Sequence, residues 1–87
     1  MYELFRTEEF KRDYQSLTQN EKQAIRRALE RLKDDLRYPS LRVKKMQGRD
    51  DVWEARASED LRILFVIDKP ETLILRTCGH HDSTLRK

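Results

Sequence analysis

Two arginines and a pair of adjacent histidines are set into segments that otherwise read as buried strands: Trp53-Glu-Ala-Arg56-Ala-Ser-Glu-Asp-Leu-Arg62-Ile-Leu-Phe-Val-Ile67 and Ile74-Leu-Arg-Thr-Cys-Gly-His80-His81-Asp82. An unpaired guanidinium costs several kcal/mol to bury, so Arg62 between Leu61 and Ile63 needs a reason beyond packing. Two reasons are open. Either the arginines hold local ion pairs with Glu54, Glu59 or Asp60, or they line an open face that grips an anion. Arginine's planar fork matches phosphate oxygens bidentately, and histidine exchanges a proton near neutral pH. Together, Arg56, Arg62 and His81 would suit metal-free RNA cleavage. A 2′-hydroxyl attacks the adjacent phosphorus and a base takes its proton. A cation neutralises the phosphoryl oxygens, and an acid protonates the departing 5′-oxygen. The chain offers no carboxylate cluster of the kind a two-metal nuclease uses, and neither metal nor cofactor is expected.

A cationic loop extends the same chemistry. Between Ser40 and Arg49 stand four cations (Arg42, Lys44, Lys45 and Arg49) and no acid. With Arg76 and His80, these residues would contact an RNA backbone. Each feature also has a plainer reading. The loop would simply be solvated, Glu54 would be an exposed cross-strand partner of an arginine, and Cys78 would fill a small core position. Adjacent histidines are commonly inert surface residues. His80-His81-Asp82 has the composition of a metal site, but neighbours in an extended segment point to opposite faces and do not chelate jointly.

These residues must be held by the rest of the chain. Met1 to Arg6 alternates weakly and reads as a short strand. Thr7 offers a helix N-cap, with Glu8 and Glu9 in a first turn that favours anions. Phe10, Tyr14 and Leu17 then form one helical face. Thr18-Gln-Asn-Glu21 has the capping-box spacing. From there Ala24, Ile25, Ala28, Leu29, Leu32 and Leu36 make a single apolar stripe, and Tyr38-Pro39 is expected to end that helix. Val52–Ala57, Leu61–Ile67 and Leu73–Cys78 read as three strands joined by short polar turns, hence antiparallel hairpins. The order β-α-α-β-β-β predicts an α+β two-layer domain over residues 1–87. In it an N-terminal helical hairpin packs on one face of a mainly antiparallel four-stranded sheet. Side chains alternate along a strand, so Trp53 should face the helices, with Glu54 and Arg56 on the open face. The strand holding Arg62 is apolar nearly throughout and should be central. Gly79 marks the end of the last strand.

Bulk properties set the bounds. Eighty-seven residues make a small domain with a thin core, burying roughly 60–65% of the unfolded surface. The balance of 19 Lys+Arg against 16 Asp+Glu gives +3, a mild lean toward nucleic acid. One cysteine precludes an internal disulfide and fits a reducing compartment. The charged N-terminus does not read as a signal peptide, and no apolar run approaches the ~18–20 residues of a membrane helix. A cytoplasmic protein is expected.

The pattern Trp-Glu-x-Arg-x-Ser-x-x-x-Arg-Ile-x-Phe at Trp53–Phe65 resembles the RelE/ParE superfamily of bacterial toxins. So do the closing Gly79-His-His-Asp82 and the Lys44-Lys-Met-Gln-Gly48 segment, and the likeness spans the whole chain. It implies a RelE-like fold and a ribosome-dependent endoribonuclease of the RelE and YoeB kind, which cuts messenger RNA in the ribosomal A site and is silenced by an acidic antitoxin. By position, Arg62 matches the arginine that contacts the scissile phosphate, His81 the general acid of the YoeB branch, and Arg56 a substrate-facing arginine. Lys44 and Lys45 fall in the loop that elsewhere supplies lysines or a glutamate base. The terminal tyrosine of these branches is replaced by Asp82, and Glu54 stands among residues that replace strand lysines. The base is therefore open between Glu54 and Lys44. Two further functions remain open: a ParE-like inhibitor of DNA gyrase, and a catalytically degenerate member that only binds RNA or the ribosome.

Overall fold

The computed structural model describes residues 1–49 and 51–80 of the chain. The elements run β1 (Glu3–Arg6), α1 (Glu8–Gln15), α2 (Gln19–Asp34), a 3₁₀ turn (Pro39–Leu41), β2 (Lys44–Lys45), β3 (Val52–Arg56), β4 (Leu61–Asp68) and β5 (Thr72–His80). The local signals act as the residue types dictate. Thr7 accepts a hydrogen bond from the Phe10 amide at the start of α1. Thr18 and Glu21 close a reciprocal capping box on α2, satisfying amides that the first helical turn leaves without partners. Helix α2 ends at Asp34, short of the Tyr38-Pro39 stop, with Asp35 extended as its C-cap. Proline sets a limit beyond which the helix cannot run. Here the Asp35 carboxylate takes the Arg37 amide and stops it earlier.

The sheet order is β1-β5-β4-β3-β2, with β1 parallel to β5 and the remaining pairs antiparallel. Two helices lie against this five-stranded sheet, an α+β arrangement. The expected four strands are all present and β4 is central. The fifth, β2, is a two-residue edge strand that extends Lys44 and Lys45 alongside Glu54 and Trp53. So short a segment, polar throughout, carries no alternation from which to read a strand.

One core joins the layers. Phe10, Ile25, Ala28, Leu29 and Leu32 of the helices meet Ala55, Leu61, Ile63, Phe65, Leu73, Leu75 and Cys78 of the sheet, closed by Leu41. Trp53 packs partly buried against that cluster, on the helix side as its parity requires. Helix α1 is also tied directly to β5 where the Thr77 hydroxyl donates to the Asp13 carboxylate. A bulge interrupts β5: Leu64 pairs with Thr77 while Phe65 pairs with Leu75, so Arg76 is skipped in the register. The extra residue shifts parity. It brings Cys78 onto the core face with Leu73 and Leu75, and leaves Arg76 outside the ladder to β4.

Candidate anion-binding face

Strand pairing alone brings the arginines together. The hairpin formed by β3 and β4 sets Arg56 directly opposite Arg62, and Glu54 opposite Leu64, with Lys44 of β2 opposite Glu54. Because side chains alternate, Ala55 and Ile63 turn to the core while Lys44, Glu54, Arg56 and Arg62 share the face away from the helices. Lys45 pairs with Trp53 and so belongs to the opposite side. Two adjacent loop lysines are thereby separated, and only Lys44 joins the arginines.

Like charges directly opposite in a sheet are destabilising, so something must hold this pair. The turn does part of it. Arg62 Nη1 donates to the carbonyls of Ser58, Glu59 and Leu61 at 3.0, 3.0 and 3.1 Å. Arg56 Nε donates to the same Ser58 carbonyl at 3.3 Å. Glu54 does the rest. Its Oε1 lies 3.9 Å from Arg62 Nε and 3.7 Å from Lys44 Nζ. The Arg62 guanidinium is thus held through Nη1 and Nε, with its side chain 14% exposed.

Glu54 departs from expectation. It partners an arginine, but it is buried, with its side chain 5% exposed, where an exposed position was anticipated. Burial follows from position: β3 lies between β2 and β4, so Glu54 has an ion-paired neighbour on either strand. Leu64 and Val52, on the same face, are also buried. The open face is thus largely apolar beneath its charged rim. Neither Glu59 nor Asp60 reaches the arginines with its carboxylate; the turn serves them through its carbonyls.

The other candidate residues are scattered. Arg42 is exposed and caps the 3₁₀ turn in a left-handed backbone conformation, φ 45°. Arg49 is half-buried in the loop after β2. Arg76 is exposed at the bulge, beside the Thr7 hydroxyl that donates to its carbonyl. His80 pairs with Leu61, a core residue, and therefore lies on the helix side of the sheet, across from the arginine face. Its ring sits between Glu21, 2.8 Å from Nε2, and Asp60, 3.2 Å from Nδ1. The hydrogen bond that His80 donates to Asp60, reinforced by the charges of both carboxylates, outweighs partial desolvation and raises the His80 pKa above its ordinary 6.5. His81 and Asp82 lie outside the described residues, as does Asp50. Glu21 and Asp60 were not among the candidate residues. Glu21 is legible as a capping residue, but no local signal shows that its second oxygen meets a histidine 59 positions later. Among the described residues no group of three or more His, Cys, Asp or Glu could hold a metal ion, and no helix is long and apolar enough to cross a membrane.

The chain matches no family model and no curated protein in sequence. In structure it is similar to toxins of known fold. YafQ from E. coli strain BL21(DE3) superposes with a TM-score of 0.78 at 10% identity, covering 97% of this chain and 98% of that one. A chain of the RelB–RelE antitoxin–toxin complex from Methanococcus jannaschii gives 0.76 at 19% identity, covering 94% and 95%. The YoeB/ParE toxin from Agrobacterium tumefaciens gives 0.76 at 17% identity, covering 93% and 99%. The fold of this chain is therefore RelE-like, over nearly its full length.

Proposed function

We propose that this protein is the toxin of a type II toxin–antitoxin pair and a metal-independent endoribonuclease that cuts messenger RNA in the ribosomal A site. The observation that carries the reading is the Arg56–Arg62 cross-strand pair, two cations set opposite one another with a single carboxylate shared between Arg62 and Lys44. A sheet gains nothing from that placement. A phosphate that seats there gains a bidentate fork and two further cations. The RelE-like fold supports the toxin reading independently of the cluster.

In this mechanism Glu54 takes the proton of the 2′-hydroxyl, Lys44 and Arg56 hold the phosphate, and Arg62 neutralises the charge that develops on the phosphoryl oxygens. The 2′-oxygen–phosphorus bond forms as the phosphorus–5′-oxygen bond breaks. His81 gives the leaving 5′-oxygen its proton, so the products are a 2′,3′-cyclic phosphate and a 5′-hydroxyl. Arg42, Lys45, Arg49 and Arg76 add sequence-independent attraction to the RNA backbone. The partner is an acidic antitoxin, since complementary charge steers association onto this surface.

Primer extension on a reporter messenger RNA after induction, with and without translation of that message, tests the reading. Cleavage that requires translation is expected. Arrest of protein synthesis with the message intact would make the chain an RNA- or ribosome-binding protein without turnover. DNA damage and filamentation with intact messages would make it a gyrase inhibitor.

A further inference from the structure

His80 ends β5 with its ring against two carboxylates from two different elements: Glu21 in the first turn of α2 and Asp60 in the turn between β3 and β4. Carboxylates only accept hydrogen bonds. A neutral imidazole has one N–H, so it satisfies one carboxylate and turns a lone pair toward the other. The imidazolium has two, one for each. Geometry therefore selects the cation.

Both anchors are themselves committed. Glu21 Oε1 accepts the Thr18 amide at 2.8 Å within the capping box, while its Oε2 meets His80. Asp60 closes the Ser58–Asp60 turn, in which the Ser58 carbonyl accepts from both Arg56 and Arg62 and the Glu59 carbonyl from Arg62. We propose that His80 is a positioning residue: as an imidazolium it ties the turn that seats Arg56 and Arg62 to the N-terminus of α2. The orientation of the arginine pair is thereby coupled to the protonation of a residue on the far side of the sheet. The consequence for cleavage rests on the ribonuclease reading; the latch itself does not.

Among the described residues the charged groups that face the His80 ring are Glu21 from α2 and Asp60 from the turn, and both favour its protonation. The latch is closed while His80 is protonated and both carboxylates are ionised, and it opens as pH rises through the raised His80 pKa. Loss of the imidazolium unties the turn from α2 and leaves it to its backbone bonds, Ala57 and Ser58 amides to the Leu61 carbonyl at 2.9 and 3.4 Å, and to the two arginines.

The test is an NMR titration of the full chain that follows the His80 ring nitrogens together with the Nε resonances of Arg56 and Arg62. The expected result is a His80 pKa above 6.5, lowered by Glu21→Gln and by Asp60→Asn. The Arg62 resonance should shift with the same midpoint and move with it in each variant. His80→Gln should hold both arginine resonances at their alkaline positions at every pH. His80→Arg, a permanent cation with several donors, should hold them near the positions they take when His80 is protonated. A His80 that titrates at or below its ordinary value would overturn the latch, and an Arg62 resonance indifferent to His80 would overturn its positioning role. A cotitrating latch in a protein that cuts no RNA would leave this inference standing and sink the ribonuclease reading. An active ribonuclease whose arginines ignore His80 would do the reverse.

Discussion

Glu54 and Arg62 lie on adjacent strands and one face of the sheet, with Glu54 Oε1 3.9 Å from Arg62 Nε and both side chains largely withdrawn from water. The carboxylate is the single anion among Lys44, Arg56 and Arg62, so it is the local counter-ion in the free protein. In the proposed reaction it is also the base. There the same residue can pair with Lys44 and Arg62 and then accept a proton, because the ligand replaces it as their partner.

Glu54→Gln should slow single-turnover cleavage on programmed ribosomes by about 10²–10⁴-fold while RNA binding is kept or strengthened. Unchanged cleavage would remove Glu54 from the chemistry and leave Lys44 as the alternative.

Arg62→Ala should lower the cleavage rate by about 10²–10³-fold, the scale of losing one preorganised charge donor. It should also destabilise the domain, because the turn carbonyls lose the Arg62 donor and the buried Glu54 carboxylate loses an ion-pair partner. Arg62→Lys keeps the charge without the fork. If its activity matched the wild type, bidentate recognition at this position would be refuted. Circular dichroism melts alongside the rates separate the two effects.

His81→Ala should cost about 10²–10⁴-fold in cleavage with ribosome binding intact. His80→Ala should cost much less, since His80 lies on the helix side of the sheet. A larger loss at His80 than at His81 would reverse the assignment of the acid.

Stability should fall at both ends of the pH range, for opposite reasons. The His80 pKa is raised by Asp60 and Glu21, so its contribution is full below the unfolded value near 6.5 and is lost as pH rises through the folded value. The Glu21 pKa is lowered, first by the Thr18 amide, so its contribution is present above about 4.5 and is lost as pH falls through the folded value. Melting temperatures across pH should show a plateau between these limits. The alkaline decline should be absent in His80→Gln.

Thr18→Ala removes one half of the capping box and should cost about 1 kcal/mol, or roughly 4–8 °C in melting temperature for a domain this small. Phe65→Ala empties a fully buried site in the central strand. It should cost about 3–5 kcal/mol, a large share of a total stability of order 5–15 kcal/mol, and lower the melting temperature accordingly. A Phe65→Ala protein that still melts cooperatively near the wild-type temperature would contradict the placement of the core.

Elements whose cause is local are legible in the amino-acid sequence. Thr7 and Thr18 start helices because their side chains satisfy amides within three residues, and the stripe from Ala24 to Leu32 needs only a period of 3.6. Alternation likewise placed Trp53 toward the helices and Glu54 and Arg56 away from them. Three features depend on contacts that no local pattern encodes. Strand register set Arg56 opposite Arg62 and buried Glu54 between Lys44 and Arg62. The bulge at Arg76 moved Cys78 into the core and took Arg76 out of the ladder, and one residue of offset reverses every side chain beyond it. The third is the bridge from Glu21 through His80 to Asp60, which joins a helix cap, a strand end and a turn. Its members lie up to 59 positions apart, and only the packing of the helices on the sheet brings them within hydrogen-bond reach.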